Sequence, residues 1–281
     1  MYSREDTIDA ILRCYLAVVN QAYLDDSALI IPPVDGWSDI NIEGKDDVVL
    51  DLLRHLPYLR SDNRSQQLLL HWETIPICYT DGRGEQEPWP LPPSCVFLAH
   101  SVDREGINLI LDTSKGTITP YCHTGSDFTL PEEEYEALPY SERWRGYRTF
   151  PIEEFFDNWT QRYNRLVWML VPNAIGQPTT GTFYSRAETT SQEEKILKDA
   201  IWVVPSYDED RDCQNESVFD REHRLERTRR RQHTATLFEI YISYGWFGKF
   251  DKENCRTHLV ECEKRKWAED LRIMDENNPD T

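Results

Sequence analysis

The spacing of apolar and polar residues changes along the chain and predicts where helices and strands lie. Near the N-terminus, apolar residues recur every three or four positions, which is typical of one face of a helix, and Ser3 or Thr7 can cap its start. The stripe consists of Ile8, Ile11, Leu12, Tyr15, Val18, Val19 and Ala22. After Pro32 and Pro33, a shorter helix is predicted over residues 46–55, ended by Pro57.

From Leu68 onward the pattern becomes that of strands, because short runs rich in aromatic and β-branched residues are separated by turn-forming residues. The predicted strands are residues 68–72, 74–79, 95–101, 107–112 and 117–121. Pro76 places the second run at a sheet edge, and the last three runs form an antiparallel meander. The turn at residues 82–84 separates the two groups, and the acidic segment 131–139 is predicted to be an exposed turn or a short helix.

The remainder of the chain is mainly helical in pattern. Apolar residues at helical spacing follow Pro151 as far as Leu170, and residues 172–190, rich in Gly, Pro and Thr, read as a loop. Further helices are predicted at residues 193–202, 218–244 and 251–274, with the turn 245–248 between the last two. The order of elements predicts an α+β fold, a small, mostly antiparallel sheet flanked by helices with a C-terminal helical pair.

This order also suggests how the chain is divided. Residues 1–171 are expected to form the α+β core, and residues 172–215 a linker with an acidic loop at 208–210. Residues 216–281 are expected to form a helical segment that packs on the core. No internal repeat is present, which disfavours a solenoid.

Composition narrows the class of protein and of partner. The 281 residues carry 31 basic and 50 acidic side chains, a net charge of −19, which disfavours nucleic acid and anionic membrane surfaces as partners. No apolar stretch approaches the roughly 18 residues that span a bilayer, and the N-terminus lacks a secretory pattern. Seven scattered cysteines without a C-x-x-C pair predict reduced thiols. A soluble cytoplasmic protein is expected, with the nucleus as the alternative.

The chain contains no recognisable catalytic or metal-binding motif. The seven histidines lack H-x-x-x-H and H-E-x-x-H spacing, and no serine lies in a G-x-S-x-G sequence. Gly82 and Gly84 form a lone G-x-G without the features of a phosphate-binding loop. We therefore expect no catalytic residue, no metal site and no cofactor.

A basic cluster stands out against the acidic background and has two interpretations. It comprises Arg221, Arg224, Arg227, Arg229, Arg230 and Arg231. Pairing of Asp220 with Arg224 and of Glu226 with Arg230 would make it the solvated face of a salt-bridged helix. Alternatively, it is a nuclear-import signal or a patch that binds polyanions, for which Arg229, Arg230 and Arg231 are the residues to test.

Three tryptophans are the candidate partner-binding residues. Trp37, Trp89 and Trp246 lie in predicted loops near Gly or Pro, where their rings are expected to be exposed. Tryptophan contributes strongly to binding energy at protein interfaces, but rings in such positions also cover the edges of small sheets. Both interpretations are open.

Several short segments form a recognisable set. They are the hairpin at residues 107–119, Pro-Ile-Glu-Glu-Phe-Phe-Asp-Asn-Trp at 151–159, Pro32-Pro33-x-x-Gly36-Trp37, residues 52–58, Tyr244-Gly245-Trp246 and Lys252-Glu253-x-Cys255. In these segments the chain resembles the SUKH superfamily of cell-wall-assembly regulators and immunity proteins, particularly its fungal branch. The resemblance implies an α+β fold with helices around a small sheet, no cofactor, and function through protein binding.

These observations predict a non-enzymatic interaction or regulatory protein that acts through an acidic surface bearing aromatic side chains. Such a surface favours another protein, of basic character, as the partner. The alternative is a small-molecule enzyme whose site lies in a cleft around His71, His100 and His123.

Overall fold

The computed structural model describes residues 2–61, 66–81, 88–173, 178–204 and 217–277, which form an α+β fold as predicted. The predicted turn at 82–84 and the acidic loop at 208–210 lie outside the described residues. The helices are α1 (Arg4–Asn20), α2 (Asp47–His55), α3 (Glu132–Glu136), α4 (Ile152–Asn164), α5 (Thr190–Lys198), α6 (Val218–Ser243) and α7 (Lys252–Asn277). The strands are β1 (Leu29–Ile30), β2 (Tyr58–Leu59), β3 (Thr74–Pro76), β4 (Cys95–Ser101), β5 (Asn108–Asp112), β6 (Thr117–Tyr121), β7 (Phe150–Pro151), β8 (Trp168–Pro172) and β9 (Gly181–Ser185).

The first two helices confirm the predictions from spacing and capping. The Ser3 hydroxyl accepts a hydrogen bond from the backbone N–H of Asp6 at the start of α1, and the Asp46 carboxylate does the same for Val49 at the start of α2. α1 packs along α4, and Ile11, Tyr15, Val18 and Val19 of its predicted stripe are buried in the main core, whereas Ile8 and Leu12 are half-buried. Residues 131–139, predicted to be an exposed turn or a short helix, contain the short helix α3.

The central sheet has five antiparallel strands in the order β3, β4, β5, β6, β7, so the predicted meander and the edge position of Pro76 are confirmed. The predicted strand at 68–72 is wrong, since a single isolated bridge, between His71 and Thr74, occurs there. The backbone N–H groups of Leu70 and His71 both donate to the Thr74 carbonyl, at 2.7 and 3.3 Å, in a tight turn at Glu73, whose φ is +46°. That turn removes the segment from the sheet ladder.

The helix predicted to reach Leu170 ends earlier. α4 stops at Asn164, and Leu166 adopts a φ of +51°, which turns the chain into β8. β8 pairs antiparallel with β9, so the loop predicted over 172–190 is wrong at 181–185. The predicted linker 172–215 therefore contains a strand as well as α5, the helix predicted at 193–202.

The β8–β9 ribbon lies between two apolar clusters. Leu170 and Phe183 belong to the main core, whereas Met169, Val171 and Tyr184 belong to a second cluster. That second cluster is completed by the predicted C-terminal pair, α6 and α7, through Leu237, Phe238, Ile240, Tyr241, Cys255, Leu259 and Cys262. The Tyr241 hydroxyl also donates to the Leu170 carbonyl at 3.1 Å. Across the five described ranges, none of the helices is both long and apolar enough to cross a membrane.

Candidate functional site

A cavity of about 490 Å³ lies between the chain that follows β9 and the middle of α6. Its walls come from three separate stretches: residues 185–188 directly after β9, residues 203–204 after α5, and residues 227–238 of α6. Four arginines, Arg186, Arg227, Arg230 and Arg231, and one glutamate, Glu188, line it. The cavity therefore has an excess of positive charge in a chain whose net charge is −19.

Arg186 is the most enclosed of these arginines, with 8% of its surface exposed. Its backbone N–H donates to the Val167 carbonyl at 2.8 Å, which fixes the residue just beyond the ribbon. The guanidinium donates to the carbonyls of Ala200 at 3.0 Å and Trp202 at 2.7 Å, and its central carbon lies 3.4 Å from the centroid of the Phe238 ring.

The groups in contact with the Arg186 charge are dipoles. Within the described residues no carboxylate lies within 4.0 Å of its guanidinium, and it contacts carbonyl oxygens and an aromatic ring. Burial lowers the pKa of Arg186 to about 10, with Asp199 acting in the opposite direction. The group remains charged at neutral pH, in a position where a charge is costly.

Arg231 and Glu188 form the one bidentate ion pair of the cavity wall that the described residues contain. Arg231 Nε donates to Glu188 Oε1 at 2.6 Å, and Nη2 donates to the second carboxylate oxygen. The hydrogen bond from Arg231 holds the pKa of Glu188 below its usual range. The pair ties the chain after β9 to α6 and neutralises one arginine of the four.

Arg227 and Arg230 keep their guanidinium groups available. Arg230 lies over the ring of Trp72, with 5.0 Å between its central carbon and the ring centroid, and Arg227 is exposed. Neither has an ion pair with a described carboxylate, so both are free to take an anion from solvent. The remaining wall is apolar and includes Val203, which is 69% exposed, and Phe238.

The predicted basic cluster therefore divides between two surfaces. Arg227, Arg230 and Arg231 line the cavity, whereas Arg221, Arg224 and Arg229 do not; Arg221 and Arg229 are exposed, and Arg224 is half-buried. The interpretation as a salt-bridged solvated helix is incomplete, because Arg231 pairs with Glu188 outside α6 and Arg230 stacks on Trp72. The nuclear-import interpretation stays a prediction.

A second cavity, of about 200 Å³, contrasts with the first because its polar groups bind each other. Glu263 accepts hydrogen bonds from the Tyr184 hydroxyl, at 3.0 Å to each carboxylate oxygen, and its Oε1 lies 2.6 Å from His233 Nε2. Lys266 binds Asp270 at 2.6 Å. This arrangement stabilises the contact between β9, α6 and α7, and it leaves less uncompensated charge to bind a ligand.

The three candidate tryptophans lie apart from the arginine-lined cavity, and each has a structural contact. Trp37 Nε1 donates to the Leu56 carbonyl at 2.9 Å, and Trp246 Nε1 donates to the Asn164 carbonyl at 3.0 Å, both rings being partly exposed. Trp89 is only 6% exposed and packs edge-on against Phe97 and Tyr121, so the expectation that its ring is exposed is wrong. The hydrophobic loop around it folds onto the sheet. Partner binding by these residues stays a prediction.

The three histidines of the enzyme alternative have different surroundings. His71 lies against Trp159, Trp168 and Phe183, and burial lowers its pKa to about 3. His100 lies in β4 opposite Ile75, and burial lowers its pKa.

His123 lies between two tyrosine hydroxyls, with its Nδ1 3.1 Å from Tyr121 and its Nε2 2.8 Å from Tyr140. No ring contact or hydrogen bond among the described residues joins two of the three histidines. They line neither of the two cavities.

The arginine-lined cavity was missed at the sequence level for a physical reason. Arg186, Glu188 and Val203 all fall in the stretch that reads as a linker, and pairing of β9 with β8 is what brings them to α6. The arginine cluster of α6 was the part of the site that the sequence indicated. No protein-family model, curated protein or solved structure matches this chain.

Proposed function

We propose that this protein acts by binding, without chemistry of its own, and that the arginine-lined cavity is its binding site for an anionic group. One observation carries the proposal: four arginines and one glutamate line a single cavity on a strongly acidic chain. A positive cavity on a negative molecule concentrates attraction for an anion at one place.

The chemistry of the arginines supports an anionic ligand. The guanidinium group presents a planar set of donors that matches carboxylate, sulfonate and phosphate oxygens. Arg227 and Arg230 are available for such bonds, and the buried guanidinium of Arg186 adds positive potential to the cavity. An occupied cavity is therefore electrostatically more favourable than an empty one.

The proposal changes the expected partner while keeping the expected class of function. Binding without catalysis agrees with the separate surroundings of the three histidines and with what the SUKH resemblance implies. The net charge favours a basic partner at the outer surface, whereas the cavity favours an acidic group. A cytoplasmic location, with reduced cysteines, belongs to the same proposal, and the described cysteines are free thiols.

The test uses anilinonaphthalene sulfonate, a fluorescent anion with an apolar body. We expect the Arg227→Gln/Arg230→Gln variant to bind the probe at least about tenfold more weakly, because charge-assisted hydrogen bonds are lost. The matched control is Arg221→Gln/Arg229→Gln, which removes two charges from exposed positions of the same helix.

The control is expected to bind the probe as the parent protein does, and the effect of the cavity variant should shrink at high salt. Circular dichroism verifies that both variants keep their helical content. Equal weakening by the two variants, or no weakening by either, would contradict the proposed site.

A further inference from the structure

We propose that the ligand is a small amphipathic monoanion, a carboxylate whose head binds Arg227 and Arg230 and whose apolar body lies along Phe238 and Val203. This inference rests on the proposed function and narrows it from any anion to one chemical class. Size, wall chemistry and charge each contribute to it.

The size and the walls of the cavity favour a small molecule with an apolar part. A cavity of about 490 Å³ falls within the range of about 300–1,000 Å³ that small-ligand sites occupy. Ala187, Val203, Val204, Ala235 and Phe238 contribute apolar surface. A bare inorganic ion would leave this surface in contact with water, whereas an apolar body would cover it.

The charges in the walls leave two guanidinium groups for the head of the ligand. Arg231 is paired with Glu188, and the donors of Arg186 are directed to the Ala200 and Trp202 carbonyls, so Arg227 and Arg230 remain. Two guanidinium groups can bind the two oxygens of one carboxylate. Acidic peptides and nucleic acid are disfavoured, because their charges extend beyond the cavity and meet the overall charge of −19.

The spacing of the lining residues along α6 sets the orientation of the ligand in the cavity. Arg227 and Arg230 are three residues apart and therefore neighbours on one face of the helix. Phe238 follows eight residues after Arg230, about 12 Å along the helix axis. A head at the two arginines thus places an extended apolar body over the wall that contains Ala235 and Phe238.

The experiment compares ligands that share an apolar body and differ in charge, by calorimetric titration of the full chain. The probes are octanoate, octanol, octyl phosphate, acetate and inorganic phosphate. We expect octanoate to bind at least about tenfold more tightly than octanol, which lacks the charge, and than acetate, which lacks the body. The Arg227→Gln/Arg230→Gln variant should lose this preference for octanoate over octanol, and Arg221→Gln/Arg229→Gln should keep it.

A further arm separates two sources of the same carboxylate chemistry, a free acid and a chain terminus. A pentapeptide ending in leucine is compared with its C-terminal amide. Tighter binding of the acid form than of the amide supports carboxylate recognition. If octanoate binds more tightly than the peptide acid, the source is a free acid; if the peptide acid binds more tightly, the source is a chain terminus.

Two outcomes overturn the inference, and they differ in what they leave standing. If octyl phosphate or inorganic phosphate binds tenfold more tightly than octanoate, the monoanion assignment is wrong while the proposed anion site stands. If no anionic probe binds and neither arginine variant changes any titration, both the inference and the proposed function are wrong.

Discussion

Replacing Glu188 by Gln should strengthen anion binding while weakening the fold. The cube root of the cavity volume of about 490 Å³ is about 8 Å, which sets the scale of the separation between a bound anion and the Glu188 carboxylate in the wall. Coulomb's law gives a repulsion of about 0.5–2 kcal/mol at this separation for effective dielectric constants of about 80 to 20. Removing the charge should therefore tighten binding of anilinonaphthalene sulfonate about 2- to 30-fold.

The same substitution should lower stability, because the bidentate contact with Arg231 is lost. The two side chains are 30% and 38% exposed, so the pair contributes about 1 kcal/mol or less, equivalent to about 2 °C in Tm. Since the pKa of Glu188 is lowered in the folded state, this contribution is present at neutral pH and lost as the pH falls through that lowered pKa.

Fluorescence titration and a thermal scan of the same samples measure both effects. The matched control is Glu193→Gln, which removes an ion pair with Arg162 but does not line the cavity. It should lower the Tm without tightening the binding of the probe. Unchanged or weaker binding in Glu188→Gln would refute the electrostatic reasoning.

Three further predictions concern the core. The pKa of His71 is about 3 in the folded protein, so between pH 7 and pH 5 only the unfolded chain takes up a proton at this residue, and the free energy of unfolding falls. His71→Gln should therefore reduce this loss of stability by about 1–2 kcal/mol, measured by urea unfolding at the two pH values. Equal pH dependence in both proteins would contradict this prediction. Trp89→Ala should cost about 3–5 kcal/mol, as expected for a buried ring, and a cost near zero would place the ring at the surface. Leu237→Ala should cost about 2–5 kcal/mol in one unfolding transition, whereas a separate early transition would show that α6 and α7 melt independently.

The local sequence pattern was sufficient where a stripe or flanking turn residues mark the element. α1 and α2 carry clear stripes and capping residues, and the runs of β4 to β6 are bounded by turn-forming residues, although β4 and β5 each have five consecutive buried residues. In these segments local preference and burial agree, so the sequence alone predicts the element.

Periodicity failed at β8, where a buried run directly follows a helix. β8 has four consecutive buried residues, Met169 to Pro172, and such a run behind α4 does not distinguish a strand from the continuation of the helix. The break at Leu166 depends on a left-handed backbone conformation of a leucine, which composition does not signal. Because neither β8 nor its partner β9 was predicted as a strand, the site residues Arg186 and Glu188 were assigned to a loop.

The position of the β8–β9 ribbon between two apolar clusters has a consequence for how the protein opens. Neighbouring side chains of β8 point into different clusters, so neither cluster can separate from the ribbon without exposing apolar surface. The amide hydrogens of Met169, Leu170 and Val171 should consequently exchange with solvent only through global unfolding. A protein shortened before α6 would leave one side of the ribbon uncovered, and that exposed apolar surface would drive self-association during synthesis.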